Sequence, residues 1–125
     1  MAYSLNSDVS IDGNSKFSVF TGTSGSILVK GQVATIKSDG LIYPCATTDE
    51  FIGFNMTTCA ASGLPATIVL QGARITAFGS SASPLTMGER LVVSATAGLV
   101  EGVSGSSNSA PVVAKVLSAT DILVK

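Results

Sequence analysis

Turn-forming residues recur every few positions along this chain, and the apolar runs between them are short and β-branched. Val33-Ala34-Thr35-Ile36, Ile68-Val69-Leu70 and Leu91-Val92-Val93 are examples. Ser38-Asp39-Gly40, Ser62-Gly63-Leu64-Pro65 and Ala95-Thr96-Ala97-Gly98 punctuate the sequence around them. Short runs bounded by such turns read as strands. No 3.6-residue apolar period lasts long enough to define a helix, although a single helical turn at Leu85-Thr86-Met87-Gly88 stays open. The expected fold is therefore all-β, a compact β-barrel or β-sandwich, with a flexible N-terminal arm.

Residues 1–15 are polar, with a turn at Asp12-Gly13-Asn14, and are expected to form an arm that orders only against a partner. Residues 16–125 are expected to form a single β-rich domain, starting at Lys16-Phe17-Ser18-Val19-Phe20. Residues 21–26 read as a flexible link. Gly31 marks a bend between two strands, and Gly40 suits a tight turn because it takes positive φ without steric cost. Gly53 lies inside the strand 50–56. The strand 66–72 is expected to bend at Gly72 and continue as Arg74-Ile75-Thr76-Ala77-Phe78. Residues 104–109 read as a mobile loop tip, followed by a closing hairpin around Ser118-Ala119-Thr120.

Charged residues make up 12 % of the chain, about half the usual share of a soluble domain. Ser and Thr supply part of the missing polar coat. Strands apolar on both faces, such as Ile68-Val69-Leu70 and Leu91-Val92-Val93, need a second sheet on one face and a further cover on the other. A homo-oligomer would provide that cover, because monomers rarely expose apolar patches of more than a few hundred Å².

The seven Lys and Arg residues are scattered and the net charge is −1, so the clustered cations that hold a phosphate backbone are missing and no nucleic-acid partner is expected. No apolar run is long enough for a membrane helix, and 1–8 lacks the pattern of a secretory signal. Cys45 and Cys59 could join only if their Cα atoms come within about 7 Å. Buried reduced thiols are expected for a chain made in a cytosol.

The chain contains no histidine. Ser-His-Asp and Cys-His nucleophiles and His-based metal sites need one, so no catalytic, cofactor-binding or metal residues are assigned and no cofactor is expected. Asp49-Glu50 would point to opposite sides of a strand. Gly22-Thr23-Ser24-Gly25-Ser26 lacks the Gly-Lys-Ser/Thr ending of a phosphate loop. Asp8, Asp12 and Asn14 lack the ligand ladder and closing Glu of a calcium loop. Asn55-Met56-Thr57 matches the glycosylation triplet, which is common by chance. Tyr3 and Tyr43 are the only tyrosines, and Phe17, Phe20, Phe51, Phe54 and Phe78 are expected in the core.

Six short motifs occur in order: Val29-Lys30-Gly31-Gln32-Val33, Ser38-Asp39-Gly40-Leu41-Ile42, Phe51-Ile52-Gly53-Phe54, Ala66-Thr67-Ile68-Val69-Leu70-Gln71-Gly72, Leu85-Thr86-Met87-Gly88-Glu89-Arg90-Leu91-Val92-Val93 and Pro111-Val112-Val113-Ala114-Lys115-Val116. Over 27–125 their order resembles the small capsid-cement, or head decoration, proteins of tailed bacteriophages. The resemblance implies a non-enzymatic virion protein made in the host cytoplasm. It implies binding to the major capsid protein on the outer surface of an icosahedral head, commonly as a homotrimer, to stabilise the capsid. The alternative expectation is another structural or adhesion module of a phage particle, such as a tail or fibre subunit.

Overall fold

A computed structural model describes residues 2–13, 18–103 and 111–125. These residues hold eleven strands and no α-helix: β1 Ser10–Ile11, β2 Val19–Thr23, β3 Val33–Ile36, β4 Ile42–Pro44, β5 Gly53–Asn55, β6 Pro65–Val69, β7 Arg74–Thr76, β8 Arg90–Val93, β9 Val100–Gly102, β10 Val112–Val116 and β11 Ile122–Val124. They form two antiparallel sheets, ordered β1-β7-β11-β10-β8-β9 and β2-β6-β5-β3-β4. The sheets pack together as a sandwich, and neither closes into a barrel.

The main core lies between the sheets. Val33, Phe54 and Val69 from the five-stranded sheet meet Ile75, Leu91, Val93, Val113, Val116, Ile122 and Val124 from the six-stranded one. Phe54 stands at its centre, edge-on to Phe51 at 5.7 Å and to Phe78 at 5.6 Å between ring centroids. Each fully buried Val, Leu, Ile or Phe contributes about 1.5–3 kcal/mol. The bend expected at Gly72 is present, with φ +95°. It does more than bend one strand, because it carries the chain from β6 in one sheet to β7 in the other.

A second, smaller core covers the far face of the five-stranded sheet. Ala66 and Ile68 of β6, Ala34 of β3 and Ile42 of β4 pack there against Leu28 and Cys59. Leu28 and Cys59 hold each other by paired backbone bonds, Leu28 N–H to Cys59 O at 3.0 Å and Cys59 N–H to Leu28 O at 2.9 Å. Ile68 and Val69 are thus both buried by this chain alone. The sequence expectation that two-faced strands need an oligomeric cover is corrected here, since a pair of loop segments acts as the lid. Leu91, Val92 and Val93 are likewise buried within the one chain.

The expectation of a free N-terminal arm is also corrected for 2–13. Val9 is 1 % exposed and belongs to the main core, and Tyr3 and Ile11 pack against it. Ala2 bridges Glu101 beside β9, while Ser10 and Ile11 pair with Thr76 and Ile75 of β7. The segment therefore straps both edges of the six-stranded sheet. Asn6 secures its middle, donating from Nδ2 to Ala77 O at 2.9 Å. Polar composition hid this because the strap needs only a few apolar anchors, spaced far apart. Met1 and residues 14–17, including Phe17, lie outside the described residues, as does the loop expected at 104–109.

Candidate interaction surface

Most residues singled out in the sequence have structural duties. Asp49 closes a turn by accepting the Ala46 N–H on Oδ2 at 3.0 Å, and Glu50 is exposed beyond it. Asp12 lies 3.8 Å from Arg74, whose guanidinium is mainly bound to Asp121 at 2.7 and 3.1 Å. Asn55 is fully buried. Its Nδ2 donates to Val29 O at 3.1 Å and Thr57 O at 2.6 Å, and its Oδ1 accepts from Thr57 N–H at 3.2 Å. The glycosylation triplet is therefore an internal clip. Among the described residues, no three Cys, Asp or Glu side chains converge as a metal site, and no helix is long and apolar enough to cross a membrane.

Cys45 and Cys59 are both buried, unbonded to each other, and belong to different cores. Burial, reinforced by the Asp49 charge, pushes the Cys45 thiol up to about 11. At neutral pH it is a protonated apolar filler rather than a nucleophile. A shallow open cleft of about 350 Å³ is lined by Thr86, Met87, Gly88, Glu89, Arg90 and Val103. Glu89 there accepts the Tyr3 hydroxyl at 3.0 Å and so anchors the N-terminal strap.

The segment read as a flexible link, 21–26, is instead part of the sheet. Thr21, Gly22 and Thr23 pair along β6 opposite Thr67, Ala66 and Pro65. Ser24 is fully buried, donating to Ala61 O at 3.0 Å and accepting Leu64 N–H at 3.1 Å. The chain then turns toward β4, where Ser24 bridges Ile42 and Gly25 N–H reaches Ile42 O at 2.8 Å. Residue 25 has to be glycine because the Tyr43 ring occupies the place of a Cβ. Tyr43 is held in turn by its hydroxyl bond to Asp39 at 2.7 Å and by Lys37 Nζ 4.8 Å from its ring centroid. The Tyr43 hydroxyl, with the Leu41 N–H, lowers the Asp39 carboxyl below the ordinary range, and the same bond raises the Tyr43 phenol. Together these groups latch 24–25 over one edge of the five-stranded sheet.

The opposite edge is different. β2 pairs with β6 on one side, and among the described residues no strand lies along its other side. Val19 is 52 % exposed and Phe20 40 %. Phe20 is the aromatic that departs from the core expectation among those described. On the lid over the smaller core, Leu28 points in while Ile27 and Val29 are exposed, as is Leu64 beside Ser24. One chemical feature unites these residues. The sequence holds no Asp, Glu, Lys or Arg from 17 to 29 or from 51 to 73, and these stretches supply β2, β5, β6 and most of the lid. Two distant charge-free stretches thus become neighbours on one sheet. That convergence was not legible in the sequence, because spacing does not show that β2 would pair with β6. In comparisons with known proteins, no family model matches the chain and no curated protein matches it.

Proposed function

We propose that the chain is a non-enzymatic structural protein of a tailed-phage particle, one that binds the outer surface of an icosahedral head and stabilises the capsid. The observation that carries this reading is the set of exposed apolar side chains, Val19, Phe20, Ile27, Val29 and Leu64, on segments around β2 and the lid that hold no charged residue. Such a surface can be covered by another protein without the desolvation cost of stranded charges. The resemblance of the ordered motifs to those of head decoration proteins suggests the proposed partner, the major capsid protein, and the proposed place, the outside of the virion. The trimeric state belongs to that resemblance. Burial of Ile68 and Val92 within one chain removes the need for a trimer to cover them.

The test is binding of the purified protein to heads built from the capsid protein of the virus that encodes it. Saturable binding to expanded heads, with little to their unexpanded precursors, is the expected result, along with a higher temperature for head disruption. No binding to either form would overturn the reading. Long tubes or fibres formed by the protein alone would point to the tail or fibre alternative, because a decoration protein stops at a small closed assembly.

A further inference from the structure

The two sheets present four lateral edges, and among the described residues the chain covers three of them. Ala2 and Tyr3 cover β9, with Tyr3 N–H bonded to Val100 O at 2.8 Å. Ser10–Ile11 cover β7, leaving an outer strand only two residues long. Ser24 and Gly25 cover β4 at Ile42. Proteins normally blunt an exposed edge with Lys, Pro, a bulge or extreme shortness. The fourth edge, β2, has the sequence Val-Phe-Thr-Gly-Thr and pairs in unbroken register with β6 over five residues. Over Val19–Thr21 it carries none of those devices, while its C-terminal end runs into Ser24, which bridges Ile42 of β4.

The hydrogen-bond phase of β2 follows from its flanks. Leu70 N–H bonds to Ser18 O at 2.9 Å and Ser24 N–H bonds to Leu64 O at 2.8 Å. In an antiparallel ladder these groups alternate sides. Residues 18, 20, 22 and 24 therefore face β6, and the N–H and C=O groups of Val19, Thr21 and Thr23 face outward, those of Thr23 beside Ile42 of β4. Unpaired backbone groups on an extended edge fit one kind of occupant, another extended strand.

We propose that two copies of this chain pair through β2, antiparallel and centred on Phe20. In that register Val19 faces Thr21 of the second copy and Thr21 faces its Val19, so the outward N–H and C=O groups of both residues are used on each strand. Phe20 then lies opposite Phe20 in a non-hydrogen-bonded position, where side chains come closest and aromatic pairs are favourable. A two-fold axis through this point brings β2 and β6 of each copy near their counterparts. Neither strand carries a charge, so no like charges meet. The contact is self-complementary and closed, so it stops at two copies rather than growing into a filament. It does not depend on the head-binding reading.

Sedimentation equilibrium of the full chain at up to about 500 μM, a range suited to a short strand pair, tests the proposal. The expected mass is twice the 12.5 kDa of one chain. Thr21→Pro removes an outward N–H that β6 does not use, a position at which an edge strand tolerates proline. Val19→Lys places like charges near the axis at an exposed site. Each is expected to weaken pairing at least about tenfold while the thermal midpoint of the dilute protein stays within a few degrees. Val19→Lys still decides the matter if Thr21→Pro fails to fold. A monomer throughout, a trimer, or a dimer that survives Val19→Lys would each overturn the proposal. None of these outcomes bears on head binding, which is measured separately.

Discussion

Gly53→Ala is expected to be among the most damaging single-methyl additions in this protein. Gly53 lies opposite Ala34 in the β3–β5 pairing, and β5 pairs with β6 on its other side. A Cβ at 53 would fall inside contact distance of the Val69 carbonyl oxygen and 2.6 Å from Ile68 Cγ2. The second gap is about 1 Å short of ordinary van der Waals contact. Ile68 is fully buried against the lid and has nowhere to retreat. The carbonyl is backbone of a paired strand, so it cannot rotate away as a side chain would. Overpacking of a tight site costs about 1–3 kcal/mol and sometimes more, and this site belongs at the upper end. Loss of glycine's freedom in the unfolded chain returns about 0.5–1 kcal/mol. The net expectation is a loss of about 2 kcal/mol. At about 2.1 cal/mol/K of unfolding entropy per residue, the 125 residues give about 4 °C per kcal/mol, hence a fall of about 8 °C in Tm. Calorimetry of the variant beside Gly13→Ala measures this, since a Cβ at 13 meets nothing within 4 Å. A Gly53→Ala midpoint within about 2 °C of the parent would refute the close β5–β6 approach on which the estimate rests.

Three further outcomes are expected. Ala77 has φ +54°, a left-handed conformation that costs a non-glycine residue about 1 kcal/mol. Glycine's added freedom in the unfolded chain offsets about 0.5–1 kcal/mol of that relief, so Ala77→Gly should leave Tm unchanged or raise it by about 2 °C, and a fall of about 4 °C or more would show that the strain is absent. For Asp121, burial pushes the carboxyl up, but the Arg74 hydrogen bond, the Thr120 hydroxyl and the Arg74 charge outweigh it and hold it below the ordinary carboxylate range. A depressed carboxyl stabilises the fold above its unfolded pKa of about 3.9 and loses that contribution as pH falls through its lower folded value. Urea titrations of Asp121→Asn should show a deficit of about 1 kcal/mol at pH 7 that shrinks below about pH 4, and a deficit independent of pH would exclude the ion pair as its source. Deleting 2–13 removes Val9 from the core, which alone is worth about 2 kcal/mol. Tm should drop by about 8 °C or more, whereas an unchanged midpoint would restore the free-arm expectation.

The all-β class was legible in the sequence, because the recurrence of turn residues and the shortness of β-branched runs are local properties of the backbone. The hairpin turn at Gly40, the bend at Gly72 and the closing β10–β11 hairpin were legible for the same reason. Each depends on residues within a few positions of one another. The low charge was legible too, but not where its consequences fall. Only the tertiary structure decided that 2–13 straps the six-stranded sheet, that Leu28 and Cys59 cover Ile68, and that Gly22 and Thr23 belong to a strand rather than a link. These depend on pairings across many residues of sequence, which alternation and turn chemistry do not specify. Choice between barrel and sandwich was decided in the same way. Strand spacing is alike in both, and the difference lies in whether the outermost strands of each sheet find one another. Here, among the described residues, the only bridge between the end of β2 and β4 joins Ser24 to Ile42, where Gly25 under the Tyr43 ring turns the chain out of the ladder, and Val19 and Thr21 stay on an open edge.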